Sequence, residues 1–98
     1  MKSVHWSERA WSDYIFWQQS DPQLVEKINA LIIECLRTPF VGIGKPEPLR
    51  GELSGYWARR INSEHRFIYQ ISGKTDHQVL SIVACRFHYQ DSGKKKIN

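Results

Sequence analysis

The sequence has little cysteine and no long apolar run, and both absences narrow the class of protein. No segment reaches the roughly 18 consecutive apolar residues that a membrane span needs. The first residues, MKSVHWSERAW, lack the apolar stretch of a signal peptide. A cytoplasmic protein without membrane attachment is therefore expected. The two cysteines, Cys35 and Cys85, each lie in an apolar periodic stretch, which predicts buried free thiols and no disulfide.

The histidines are also few, and no metal site is expected from them. The chain has four scattered histidines, and with the two cysteines they match no zinc-ligand spacing. We therefore expect neither a metal nor another cofactor. With 98 residues, of which 41% are apolar, the chain suits one compact domain with a single core.

Acidic and basic side chains are unevenly distributed. Residues 7–36 carry five acidic and two basic side chains, whereas residues 37–66 carry three acidic and six basic ones. Residues 67–98 carry two acidic and five basic side chains, and Lys2 completes the net charge of +4. A basic surface is typical of nucleic-acid binding, but it also occurs in basic proteins that are merely soluble. Charge alone leaves both possibilities open.

Two antiparallel helices are predicted after a short extended segment, SVHW. Ser7 can cap the first helix, and apolar positions then follow the helical period. Asp21 can accept from the free N–H groups that open the second helix, and Pro22 is preset for its first turn. Pro39 ends this helix at about Thr38.

A loop and three strands are predicted after the helices. Residues 38–55 hold four glycines and three prolines, which is the composition of a loop. Extended runs follow at 56–61, 66–71 and 78–89, and alternation in the second run indicates a sheet with one packed face. The predicted fold is α+β in the order β-α-α-β-β-β, with both N-terminal helices packed on an antiparallel sheet.

Residues that could cleave RNA without a metal are present. Such cleavage needs a base for the 2′-hydroxyl proton, a cation for the charge gathering on phosphorus, and an acid for the leaving 5′-oxygen. Glu47, within GKPEPLRG, is the candidate base, Arg66 the candidate cation and His88 the candidate acid. Their spacing in the sequence does not establish that they meet.

Each of these residues also has a simpler interpretation. Glu47 would be a solvated loop carboxylate, and Arg66 would pair with Glu64 at the surface. His88 would be a half-exposed strand residue, and Tyr89 a packing aromatic with a hydrated hydroxyl. The residues taken one at a time leave both interpretations open.

Four stretches together carry a family resemblance. TPFVGIGKPEPL, LSGYWARRI, EHRFIYQI and ACRFHY resemble the YoeB (Txe/YoeB) toxins of bacterial toxin–antitoxin pairs, within the RelE-like superfamily. The resemblance spans residues 1–89, which we expect to form one toxin domain, with 90–98 as a basic disordered tail. It implies a microbial-RNase-like fold, a ribosome-dependent mRNA endonuclease that inhibits translation, and a YefM-like antitoxin. It also allows a homodimer.

The resemblance assigns roles by position. It makes Glu47 the general base, Arg66 the phosphate-stabilising arginine, and His88 the general acid. Tyr89 would help to place the substrate. Contacts to RNA phosphates are expected from four basic residues, Lys45, Arg50, Arg59 and Arg60.

Two other functions stay open at this stage. One is an inhibitory binding protein with a RelE-like fold, of the kind that ParE-type relatives use to block DNA gyrase. The other is a non-catalytic RNA- or ribosome-binding module. The presence of Glu47, Arg66 and His88 together favours the nuclease, because a binding protein has no need of an acid–base set.

Overall fold

The computed structural model describes residues 2–87, in which two helices pack on a five-stranded sheet. The helices are α1 (Glu8–Ser20) and α2 (Pro22–Arg37). The strands are β1 (Ser3–Trp6), β2 (Glu47–Pro48), β3 (Trp57–Arg60), β4 (Arg66–Ser72) and β5 (Val79–Ala84). The predicted order is confirmed, with one addition: the short strand β2 lies inside the segment predicted to be a loop.

The sheet is mixed, in the order β1-β5-β4-β3-β2. Strands β2 to β5 pair antiparallel with their neighbours, but β1 runs parallel to β5, with Ser3 opposite Val79 and Trp6 opposite Ile82. The prediction of a wholly antiparallel sheet is therefore wrong at this edge. A hairpin would enforce antiparallel pairing, but β1 joins the sheet through the long path that contains both helices.

The helix boundaries follow the predicted signals, with one exception. Ser7 Oγ accepts the N–H of Ala10 at 2.9 Å, which caps α1 as expected. The predicted side-chain cap at Asp21 is wrong, because its carboxylate makes no capping bond; its backbone N–H instead donates to Trp17 O at 2.8 Å and closes α1. Thr38 follows the last residue of α2, as predicted. Within residues 2–87, neither helix is long and apolar enough to span a membrane.

The main core lies between the helices and one face of the sheet. Phe67 and Tyr69 of β4 are fully buried there, as the alternation along this strand predicted. Cys35 and Cys85 are also buried and unbonded, which confirms the prediction of free thiols. Burial raises the pKa of Cys35 to about 11 and that of Cys85 to about 12, so both thiols stay protonated.

The other face of the sheet, which we call the outer face, is also partly covered. Leu49, Ala58 and Ile68 are buried in a second apolar cluster, and Leu53 and Tyr56 pack against it. The prediction of a single packed face is therefore incomplete. Residues 49–56 fold back over the sheet, and Leu49 N–H donates to Tyr56 O at 2.9 Å to close the turn. This apolar anchor fixes the chain on the C-terminal side of Glu47.

The last strand is shorter than predicted. Strand β5 ends at Ala84, whereas the apolar pattern predicted an extended run to residue 89. The backbone N–H and C=O of Cys85 bond to side chains of α1 and not to a neighbouring strand. The predicted tail at 90–98 lies outside the described residues.

Candidate active site

Glu47 lies in β2 at the edge of the sheet, where it pairs with Ala58 of β3. Pro46 and Pro48 on either side have no N–H to donate, and an edge strand is the position in a sheet that tolerates this loss. Before the strand, Gly44 and Lys45 both have positive φ, at 83° and 51°, and Gly44 O accepts the N–H of Arg60 at 2.7 Å. Glu47 is therefore held in a defined strand with an exposed side chain.

Register places Glu47 and Arg66 on the same face. Glu47 is opposite Ala58, and Ala58 is opposite Ile68, so the three side chains share the outer face. Arg66 is two residues before Ile68 on β4 and therefore points to that face as well. Two strand spacings and two residues along the strand put the Cα atoms of Glu47 and Arg66 about 12 Å apart. Their two long side chains can face a phosphate between them across this distance.

Two arginines face each other beside this pair. Arg60 of β3 is directly opposite Arg66 of β4, and like charges opposite each other on a sheet are destabilising. Within residues 2–87, neither arginine forms an ion pair with a carboxylate. The pairing of Arg66 with Glu64, the simpler interpretation, is absent from the ion pairs of residues 2–87, and the Glu64 carboxylate lies 3.7 Å from the Nε2 of His65. The outer face therefore carries two guanidinium groups without a counter-ion among the described side chains.

Arg66 is half-buried, and only part of its guanidinium is engaged. Its Nη1 donates to Asn62 O at 2.9 Å and to His65 O at 3.1 Å. In the described part of the chain, its Nε and Nη2 make no hydrogen bond. These bonds fix the side chain while leaving two nitrogens for an anion, and the planar fork of arginine suits the oxygens of a phosphate.

Arg59 does not reach this surface, so its prediction as a phosphate contact is wrong. It alternates with Arg60 along β3, and its side chain points to the helices, where it is fully buried. Three of its nitrogens are hydrogen-bonded: Nε donates to Tyr69 Oη at 3.2 Å, Nη1 to Ile43 O at 2.9 Å, and Nη2 to two carbonyl oxygens. Arg59 therefore holds the loop that precedes Glu47, and because the residue is fully buried it is not available to contact RNA.

The other predicted RNA contacts stay predictions. Lys45, Arg50 and Arg60 are all exposed. Lys45 and Arg50 flank the strand that carries Glu47, and Arg60 lies opposite Arg66. No group of three or more His, Cys, Asp or Glu side chains within residues 2–87 is arranged to hold a metal ion.

His88 and Tyr89 lie outside the described residues, but the chain that leads to them is placed beside Arg66. The backbone N–H of Arg66 donates to Phe87 O at 3.1 Å. The N–H of Phe87 donates to His65 Nδ1 at 2.8 Å. The structure therefore connects the end of the described chain to β4 at Arg66 itself.

The sequence did not lead us to the side chains that hold the chain at Cys85. Asp13 accepts the N–H of Cys85 through Oδ2 at 3.0 Å, and Trp17 donates through Nε1 to Cys85 O at 2.8 Å. One signal was available: Ala10, Asp13 and Trp17 share one helix face, so a carboxylate stands in an apolar stripe. A buried carboxylate needs partners, and here they are the backbone N–H of Cys85 and the guanidinium of Arg9.

Comparisons with known proteins agree on one family. The family model for YoeB-like toxins of bacterial type II toxin–antitoxin systems matches residues 6–89. Toxin YoeB of Escherichia coli (strain K12) is 55% identical over 84 residues, which cover 86% of this chain and 95% of the relative. The structure of a YoeB/ParE toxin from Agrobacterium tumefaciens matches with a TM-score of 0.85 and 55% identity, over 91% of this chain and 100% of that chain. A heterotetrameric YoeB–YefM toxin–antitoxin complex from Staphylococcus aureus matches with a TM-score of 0.78 and 41% identity, over 88% of this chain and 95% of that chain.

Proposed function

Because this chain belongs to the family of YoeB-like toxins of bacterial type II toxin–antitoxin systems, we propose that it is a ribosome-dependent mRNA endoribonuclease that inhibits translation. One observation carries the proposal. Arg60 and Arg66 lie opposite each other without a carboxylate partner in residues 2–87, on the face of the sheet that also presents Glu47. Two opposed cations beside a general base suit the phosphodiester backbone of RNA.

The proposed reaction is an internal transfer at phosphorus. The 2′-oxygen attacks the scissile phosphorus while Glu47 takes the 2′-hydroxyl proton. Arg66 stabilises the negative charge on the phosphoryl oxygens through its free nitrogens. The bond from phosphorus to the 5′-oxygen breaks, and His88 supplies the proton to that oxygen. The products are a 2′,3′-cyclic phosphate and a free 5′-hydroxyl, and Tyr89 helps to place the substrate.

The exposure of Glu47 is consistent with a role as a base that acts on a bound substrate. Its carboxylate is exposed in the free protein, so it can reach the 2′-hydroxyl without a rearrangement of the core. Pro46 and Pro48 restrict the backbone on both sides, which lowers the entropy lost when the carboxylate is held at its working distance.

The partners follow from the same charge distribution. The basic outer face would contact mRNA and ribosomal RNA, and the proposed location is therefore the cytoplasm. A YefM-like antitoxin would silence the toxin by covering this face with an acidic segment, and the YoeB relative from S. aureus forms a complex with YefM. A homodimer remains compatible with this arrangement.

Ribosome-dependent cleavage tests the proposal. Purified protein is added to ribosomes programmed with a defined mRNA, and cleavage is followed by primer extension. Glu47→Gln should lower the rate by about 100-fold or more, because general acid–base catalysis contributes roughly 10²–10⁴-fold. Glu52→Gln, at an exposed glutamate in the same segment, is the matched control and should cut at the wild-type rate.

The alternatives predict different results in the same experiment. If the message stays intact with wild-type protein, or if the Glu47→Gln variant cuts as fast as Glu52→Gln, the proposal is wrong. Ribosome binding with uncut message would indicate a non-catalytic binding module. Inhibition of gyrase in a supercoiling assay would indicate a ParE-like binding protein.

A further inference from the structure

The backbone of Phe87 has an unusual conformation. Its φ is +70°, in the left-handed region that bulky side chains rarely adopt, and its ring is 47% exposed. Such a residue persists only when its surroundings hold it, and such conformations concentrate at functional sites. Two hydrogen bonds hold this one: Phe87 N–H donates to His65 Nδ1 at 2.8 Å, and Phe87 O accepts from Arg66 N–H at 3.1 Å.

His65 is itself fixed in place. Only 8% of the residue is exposed, and the ring packs edge-on against Trp17 with the centroids 4.8 Å apart. Because Nδ1 accepts the bond from Phe87, the ring N–H is the one on Nε2. Nε2 lies 3.7 Å from a carboxylate oxygen of Glu64, whose side chain is exposed. His65 therefore offers one acceptor, and that acceptor is used by the backbone of Phe87.

The two bonds from α1 to Cys85 fix the same segment from the other side. Asp13 accepts the N–H of Cys85, and Trp17 donates to the C=O of Cys85, the first residue after β5. Asp13 is held in turn by Arg9, whose Nε lies 3.1 Å from its Oδ2. We call Asp13, Trp17 and His65 the C-terminal clamp. Its three side chains bond the N–H and the C=O of Cys85 and the N–H of Phe87, none of which bonds to a neighbouring strand.

We propose that His65 is a positioning residue for the proposed reaction. By accepting the Phe87 N–H, its imidazole holds residue 87, which precedes His88 in the sequence, in the left-handed conformation. The proposal rests on the proposed function, because it gives the clamp the task of fixing, beside Arg66, the residue that precedes the proposed general acid in the sequence. His65 itself touches neither the substrate nor the reacting atoms.

The main alternative is that the clamp only stabilises the fold. Two substitutions at His65 separate the two cases. In His65→Asn, the side-chain oxygen can take the place of Nδ1 and accept the Phe87 N–H. In His65→Gln, the longer side chain carries its amide near the position of Nε2 and cannot reproduce that bond. Both substitutions replace the ring by a polar amide, so both lose the packing on Trp17.

Two measurements on the full chain complete the test. Amide hydrogen exchange by NMR reports on the Phe87 N–H and does not depend on catalysis. Ribosome-dependent cleavage gives kcat and KM. We expect His65→Gln to exchange the Phe87 amide faster and to lower kcat by up to about 100-fold, with KM little changed, because misplacement of a reacting group by about 1 Å has a cost of this size. His65→Asn should keep the Phe87 amide protected and retain roughly tenfold more activity than His65→Gln.

The outcomes separate the two proposals. If wild-type protein does not cut message on ribosomes, the proposed function fails, and the exchange data still decide whether His65 holds Phe87. Equal exchange of the Phe87 amide in His65→Asn and His65→Gln would overturn the structural part of the inference. If the Phe87 amide exchanges at different rates in the two variants but their kcat values are equal, the positioning role is wrong. It is also wrong if both variants lose the same kcat and the same thermal stability.

Discussion

Replacement of the buried Arg59 by methionine tests how the loop before Glu47 is held. The guanidinium of Arg59 is fully buried, and in the described chain no carboxylate pairs with it. Its charge is satisfied by Tyr69 Oη and by the carbonyl oxygens of Thr38, Val41 and Ile43, at 2.7–3.2 Å. A methionine of similar length fills part of the space but donates no hydrogen bond.

The expected loss of stability follows from the acceptors left behind. Each buried acceptor that loses its partner costs about 1–3 kcal/mol. Tyr69 Oη keeps its bond to Pro39 O at 2.7 Å, and Val41 and Ile43 lie in an exposed stretch where water can replace the lost donors. We therefore use the lower part of this range for each of the three carbonyl oxygens and expect the unfolding free energy to fall by about 3–5 kcal/mol. Domains of this size have an unfolding free energy of about 5–15 kcal/mol, so about a fifth or more of it would be lost.

Urea unfolding measures this loss, and Arg60→Met is the matched control. The neighbouring Arg60 is exposed, so its substitution should change the unfolding free energy by less than about 0.5 kcal/mol. With a slope of about 1.5 kcal/mol per molar urea, Arg59→Met should lower the midpoint by roughly 2–3 M. Tryptophan fluorescence is a suitable signal, because Trp57 packs on Phe40 of the loop at 4.7 Å. If the two variants unfold within about 1 kcal/mol of each other, Arg59 does not hold the loop as described.

Two further predictions concern the pH dependence of stability and Arg66, the arginine proposed to bind phosphate. Burial raises the pKa of Cys35 to about 11 and those of Tyr69 and Cys85 to about 12. The unfolded chain therefore ionises first, and the urea midpoint should fall as pH rises from about 9 toward 11; a midpoint that rises over this range would contradict the assignment. Arg66→Ala should abolish most ribosome-dependent cleavage but lower stability by only about 1 kcal/mol, the value of its bonds to two backbone carbonyls. A large decrease in the thermal unfolding midpoint of Arg66→Ala would indicate a structural role instead.

Local signals predicted the helices and strands well because they act over short distances. Ser7 caps α1 through a bond to a backbone N–H three residues away, and Pro22 and Pro39 bracket α2 through the backbone angles that proline allows. The alternation that buries Phe67 and Tyr69 likewise acts within one strand. Each of these depends on neighbours in the chain, and the sequence contains them all.

The errors concern contacts between distant parts of the chain. Strand alternation also predicts that the side chains of Arg59 and Arg60 point to opposite faces of the sheet. The helices cover one of these faces, and their position decides which arginine is buried. The parallel pairing of β1 with β5 involves residues more than 70 positions apart, such as Ser3 and Val79. A periodic pattern has no information about such a partner.

The candidate site divides in the same way. The available chemical groups, the position of Glu47 between two prolines and that of Arg66 at the start of a strand can be read from the residues alone. Three features depend on how distant segments pack: Glu47 and Arg66 share the outer face, Arg59 bonds the loop before Glu47, and His65 holds Phe87 beside Arg66. The physical reason is that residue types and backbone preferences are local properties, whereas facing, burial and hydrogen-bond partners arise when strands pair and helices cover one side of the sheet.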